Sequence, residues 1–151
     1  MWFYFCKQRG AKLKKTYFDY IHKVILYMGF GLLMFERGFF WAKEQEDILD
    51  DSKFYVALHN IMPIWVWGIL GMVFSLMLII APFFLPKREM NNTFNYLIML
   101  GGAGNGLFYF LMTSASIFHA INWLTPLQFS TLAVLNFIIC VLGVIGIVRK
   151  R

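Results

Sequence analysis

The stretch that decides the fold is IMPIWVWGILGMVFSLMLIIAPFFL, residues 61–85, which contains no Lys, Arg, Asp or Glu. A helix needs about 20 mainly apolar residues to cross the ~30 Å hydrocarbon core of a bilayer, so this stretch is long enough to span it. The whole chain agrees, because 60% of its 151 residues are hydrophobic and only 15% are charged. Soluble domains carry about 25% charged residues. The sequence therefore predicts an integral membrane protein.

Three further segments are predicted to cross the membrane. Residues 94–121 and 127–148 are long, apolar and free of charged side chains. Residues 17–36 form a weaker candidate, because their uninterrupted apolar run covers only 24–35. We favour a full span here, and the alternative is an amphipathic helix lying in the interface. Three ionisable residues share one helical face at the start of this segment, where we expect an interfacial cluster or, alternatively, a proton relay: Asp19, His22 and Lys23.

The distribution of basic residues predicts the orientation. If all four segments cross, 11 of the 14 Lys and Arg residues fall on one side, in segment 1–16 and at Lys23, in loop 86–93 and in tail 149–151. The opposite side receives an acidic loop, 37–60. The positive-inside rule then places both termini in the cytoplasm, as in a bacterial cytoplasmic membrane protein. The predicted fold is a single all-α domain, a bundle of four transmembrane helices with N-in/C-in topology.

A glycine-rich run, MLGGAGNGLFYF at residues 99–110, is either a loop that binds phosphate or a helix face that packs closely against another helix. It lacks the G-x-G-x-x-G spacing of a dinucleotide-binding loop, because position 107 is Leu. On a helix, the small and polar residues of 94–121 instead fall on one face. The second and fourth segments carry similar faces, and we expect the following residues to serve in helix packing or to line a pore: Gly68, Gly71, Ser75, Gly102, Asn105, Gly106, Tyr109, Thr113, Ser116, Asn136, Cys140 and Gly143.

This small face predicts close contact between helices. Gly102 and Gly106 form a GxxxG pattern, which allows two helices to approach closely. Asn105 and Asn136 need hydrogen-bond partners away from lipid. They would either join helices within one bundle or line a polar pathway across an oligomer. The Glu36-Arg37 pair, at the end of the first segment, is an ordinary helix end or bonds to another helix.

Two histidines are the candidates for a cofactor site. His59 and His119 are both predicted at the outer boundary, where facing histidines can ligate a b-type haem or a metal. The alternative is that both are simply hydrated. Cys6 and Cys140 are far apart in the sequence, and no zinc-type or catalytic pattern occurs. We therefore expect no enzyme activity and, apart from a possible haem, no cofactor.

The predicted partners are the lipid bilayer and either further copies of this chain or another membrane protein. The net charge of +6 is explained by topology, so no nucleic acid is expected. The short chain with four spans and basic tails resembles, in format, holin-like proteins, immunity-type proteins and small accessory subunits. We expect a non-enzymatic, self-associating protein of holin-like or small-channel type. The alternatives are an accessory or immunity-type subunit and a redox subunit that uses His59 and His119.

Overall fold

The computed structural model describes residues 2–44, 53–87, 92–119 and 123–149. These residues form five α-helices and one 3-10 helix, without a strand in the part of the chain described: α1 (Trp2–Lys43), α2 (Lys53–Ile61), α3 (Ile64–Ile80), the 3-10 helix (Ala81–Lys87), α4 (Thr93–His119) and α5 (Leu124–Val148). The predicted all-helical fold class is confirmed.

Four helical segments within the described residues are long and apolar enough to cross a membrane: Tyr20–Lys43, Ile64–Leu85, Thr93–Ile117 and Leu124–Val148. Each of them overlaps one of the four segments predicted from the sequence. The first lies further along the chain than the predicted 17–36, since α1 runs without interruption to Lys43. Its inward stripe explains this extension, because Met34, Gly38 and Trp41 are all buried at helical spacing.

The second span begins later than the hydropathy predicts. Pro63 precedes α3 with an extended backbone conformation (φ −50°, ψ 138°), which separates α3 from the short helix α2. The indole N–H of Trp67 donates to the carbonyl oxygen of Met62 at 3.0 Å and stabilises this break. At its other end the span continues as the 3-10 helix, which contains Pro82 and Pro86. His59 consequently lies on α2, outside the second span.

The spans pack in the order of the sequence. α1 lies against α3, α3 against α4, and α4 against α5, whereas α1 and α5 do not form a close pair within the described residues. An apolar cluster at one end contains Trp41, Trp67 and Phe108, and α2 packs there. A second cluster near the opposite end contains Leu78 and Phe94. Between these clusters, halfway along the spans, the interior is small and polar.

Candidate functional site

The middle of the bundle contains three polar side chains that are 0% exposed: Ser75, Asn105 and Asn136. They come from α3, α4 and α5, and each lies close to the centre of its span. We call these three residues the polar layer. Polar groups at this depth cannot bond to water outside the protein, so their hydrogen bonds must be made inside the bundle.

The hydrogen bonds of the polar layer are incomplete. The hydroxyl of Ser75 donates to the carbonyl oxygen of Gly71 at 2.6 Å. The hydroxyl oxygen of Ser75 also lies 3.4 Å from Oδ1 of Asn105. Asn136 donates Nδ2 to the carbonyl oxygen of Leu132 at 2.8 Å. Nδ2 of Asn105 and Oδ1 of Asn136 are both buried without a partner. The layer thus retains one unused donor and one unused acceptor.

The glycines of the predicted packing face on α4 and α5 lie close to the facing helix, against its backbone at Gly102 and Gly143 and against a ring at Gly106. A methyl group at Gly102 would come within 2.7 Å of the carbonyl oxygen of Asn136 and of the amide nitrogen of Cys140. At Gly106 it would lie 2.9 Å from the ring of Phe137, and at Gly143 it would lie 2.8 Å from the carbonyl oxygen of Asn95. α4 and α5 therefore approach each other closely at these three glycines.

A similar approach joins the first two spans. A methyl group at Gly68 would lie 2.5 Å from the carbonyl oxygen of Gly38 and 2.7 Å from the amide nitrogen of Ala42. Gly71 is buried but less tightly enclosed, with the ring of Phe108 at 3.8 Å from such a methyl group.

The remaining predicted residues of α4 also lie inward or bond to their own helix. Tyr109 is buried, with its ring centroid 6.0 Å from that of Phe129. Thr113 donates its hydroxyl to the carbonyl oxygen of Tyr109 at 2.8 Å, and the buried Ser116 donates to that of Thr113 at 2.9 Å. These contacts are made within one chain.

Asn95, near the start of α4, is a further buried polar residue, and the sequence pattern does not identify it. It is fully buried, donates Nδ2 to Oδ1 of Asn92 at 3.2 Å, and leaves its own Oδ1 without a partner. A methyl group at Gly146 would collide with its amide. The sequence shows an amide at the edge of an apolar run. Because amides in such positions are commonly hydrated, the sequence alone does not predict that Asn95 is buried.

A second polar feature lies at the end of the bundle that holds α2. Arg37 on α1 places its guanidinium carbon 5.3 Å from the ring centroid of Phe129 on α5, and it lies within interacting distance of the Tyr109 phenol. Its Nη1 is buried without a hydrogen-bond partner. A groove of about 340 Å³ opens beside it, lined by Arg37, Leu127, Gln128, Thr131 and Leu132.

The two histidines lie towards this same end. His59 is half-buried on α2, which packs against α4, and its Nδ1 is buried without a partner. His119 is the last residue of α4, and its side chain lies outside the described residues. Within the described part of the chain, no group of three or more His, Cys, Asp or Glu side chains could hold a metal ion. A bis-histidine site stays a prediction.

The predicted ionisable cluster lies at the start of the first span. His22 and Lys23 are exposed, and the ring N–H at Nδ1 of His22 donates to the carbonyl oxygen of Phe18 at 2.8 Å. The side chain of Asp19 lies outside the described residues. This geometry suits residues at a membrane interface, and the proton relay stays a prediction.

No protein-family model, curated protein or solved structure matches this chain.

Proposed function

We propose that this protein is a non-enzymatic accessory subunit that works by binding another membrane protein. The observation that carries the proposal is the position of the polar layer. Ser75, Asn105 and Asn136 are enclosed by the helices of a single chain, and each has no exposed surface. A small channel formed between subunits needs polar side chains on an outer face, and these residues are not on one.

The outer surface of the spans supports the same proposal. Among the described residues, α5 packs closely only against α4, and its outward side includes Val134, Ile138 and Val141, which are about half exposed. An apolar outer face of this kind suits lipid and equally suits the helix of another membrane protein. Binding through lipid-facing helices needs no catalytic group.

A self-associating pore of holin-like or small-channel type is the second candidate. It is favoured by the unused hydrogen-bonding atoms of Asn105 and Asn136, which water in a pore or the amides of a second copy would satisfy. To line a shared pore, however, α4 and α5 would have to separate along the contact at Gly102.

The experiment that tests the proposal is purification of the full chain from native membranes in mild detergent. We expect one partner protein in stoichiometric amount and no Soret band in the visible spectrum. Reconstituted in vesicles, the purified chain should not release trapped carboxyfluorescein or K⁺. A homo-oligomer that conducts would contradict the proposal and support the pore, and a Soret band would support the haem-binding alternative.

A variant pair sharpens this experiment. Asn136→Leu removes the unpaired buried oxygen and keeps a side chain that branches at Cγ, so the bundle should persist. Val73→Leu, on the exposed face of α3 and away from the outward face of α5, is the control. An accessory subunit should retain its partner within about twofold in both variants. Loss of a conductance in Asn136→Leu alone would instead indicate a pore.

A further inference from the structure

The groove between α1 and α5 is lined by one cationic side chain together with polar and apolar side chains. Arg37 contributes the charge, Gln128 and Thr131 contribute polar groups, and Leu127 and Leu132 contribute apolar surface. Its volume of about 340 Å³ lies within the usual range of ~300–1,000 Å³ for ligand sites. The groove is lined by residues of α1 and α5, two helices that do not form a close pair in the described residues.

We propose that this groove binds the phosphate headgroup of an anionic phospholipid, with Arg37 as the anion-binding residue. The proposal rests first on an uncompensated charge. Arginine stays protonated in proteins, and no carboxylate of the described residues lies within salt-bridge distance of Arg37, whereas Lys43 pairs with Glu44 at 3.4 Å. Nη1 is buried without a partner, and a partly buried cation without an anion is costly.

The position of the guanidinium also suits this role. The ring of Phe129 lies 5.3 Å from its central carbon, and the buried Tyr109 lies within interacting distance, so the guanidinium is held against α4 and α5. Because its planar fork matches phosphate geometry, a guanidinium fixed in this way is well suited to bind a phosphate group.

The depth of Arg37 in the membrane and the apolar side chains that line the groove favour a phospholipid over free phosphate as the ligand. Arg37 lies six residues before Lys43, the last residue of α1, which is about 9 Å of helix. In this 24-residue span Arg37 lies in the outer part of the hydrocarbon region, from which its long side chain reaches towards the headgroups. Leu127 and Leu132 line the groove beside it, and exposed aliphatic side chains such as Leu135 and Ile138 continue along α5. An acyl chain can lie along this surface.

The experiment is native mass spectrometry of the full chain in detergent, titrated with dioleoylphosphatidylglycerol. Dioleoylglycerol, which lacks the phosphate, and inorganic phosphate, which lacks the chains, are titrated separately. We expect one molecule of the phospholipid to bind at least tenfold more tightly than either comparator. Equal binding of dioleoylglycerol, or equal binding of inorganic phosphate, would contradict the proposal.

Variants locate the site. Arg37→Gln should weaken binding of dioleoylphosphatidylglycerol about tenfold, while Arg149→Gln, at the opposite end of the bundle, should leave it unchanged. Thr131→Trp fills the groove from an exposed position and should abolish binding with helicity retained. This variant decides the question if Arg37→Gln does not fold. Full binding by a folded Thr131→Trp variant would overturn the proposal.

Segment 45–52 is acidic, and its carboxylates are the alternative anion that the experiment has to test. A variant with Glu46, Asp47, Asp50 and Asp51 changed to their amides should bind dioleoylphosphatidylglycerol as the unmodified chain does. If only this variant binds the phospholipid, the segment itself occupies Arg37 and the proposal is wrong.

Discussion

The hydroxyl of Ser75 illustrates how polar side chains are accommodated at the centre of this bundle. It has one proton to donate, and the carbonyl oxygen of Gly71, on its own helix, lies at 2.6 Å. The amide oxygen of Asn105 is more distant at 3.4 Å. Ser75 therefore bonds principally within α3, and its contribution to helix association is small.

Ser75→Ala should accordingly lower the free energy of unfolding by less than about 0.6 kcal/mol, which is the average for hydrogen bonds between membrane helices. The measurement is unfolding of the purified chain in mixed micelles, followed by tryptophan fluorescence. Ser114→Ala is the matched control, because its exposed hydroxyl also donates to its own helix, at 3.1 Å from the carbonyl oxygen of Phe110. A loss above about 2 kcal/mol in Ser75→Ala alone would show a strong bond to Asn105.

The sequence predicts which amides need partners but does not identify the partners. Asn105 and Asn136 lie in apolar runs, so their burial follows from the cost of placing an amide in lipid. The choice between an intrahelical and an interhelical bond depends on the rotation of each helix. This rotation results from packing between all the spans, and a local sequence pattern does not predict it.

At the scale of the element, α1 shows why hydropathy misplaces a helix end. Glu36 and Arg37 interrupt the apolar run, so the predicted span ends there. The helix nevertheless continues, because Trp41 packs against Phe108 with ring centroids 5.3 Å apart and Arg37 lies over Phe129. Both partners come from helices far along the chain, and this information is absent from the local sequence.

Two glycines of α1 provide a test of close packing. Gly38→Ala would place a methyl group 2.7 Å from the carbonyl oxygen of Gly68 and 3.0 Å from the amide nitrogen of Met72. Since backbone cannot yield as a flexible side chain can, α1 and α3 must move apart. We expect a loss of about 1–3 kcal/mol in the free energy of unfolding, measured in the same mixed micelles.

Gly29→Ala is the control on the same helix. No atom lies within 4 Å of a methyl group at Gly29, so this change should be neutral or should stabilise the helix by up to about 1 kcal/mol. Equal stability of the two variants would mean that α1 and α3 do not approach each other as closely as the structure describes.

At the scale of the whole molecule, four crossings require both termini to be on the same side. We expect that side to be the cytoplasm, because it then carries 11 of the 14 basic residues. Reporter fusions at Met1 and after Arg151 should both report a cytoplasmic location. A fusion within the acidic segment 45–52 should report the opposite side, and a C-terminus outside would contradict the four-span topology.

The sequence predicts the number of spans well, because membrane thickness imposes a simple length requirement that residues 61–85, 94–121 and 127–148 satisfy. It also predicts small, polar faces on the helices. It does not predict the groove beside Arg37, because that site depends on α1 and α5 lying on the same side of the bundle. Their adjacency follows from packing between helices.

The pairing of neighbouring spans has a consequence for biosynthesis. The contact of Gly38 with Gly68 is available once the second span has entered the bilayer, and that of Gly102 with Asn136 once the fourth has entered. Each half of the protein can therefore close as a helical hairpin without waiting for a distant segment. The polar layer, like the apolar cluster at the α2 end, requires at least three spans at once.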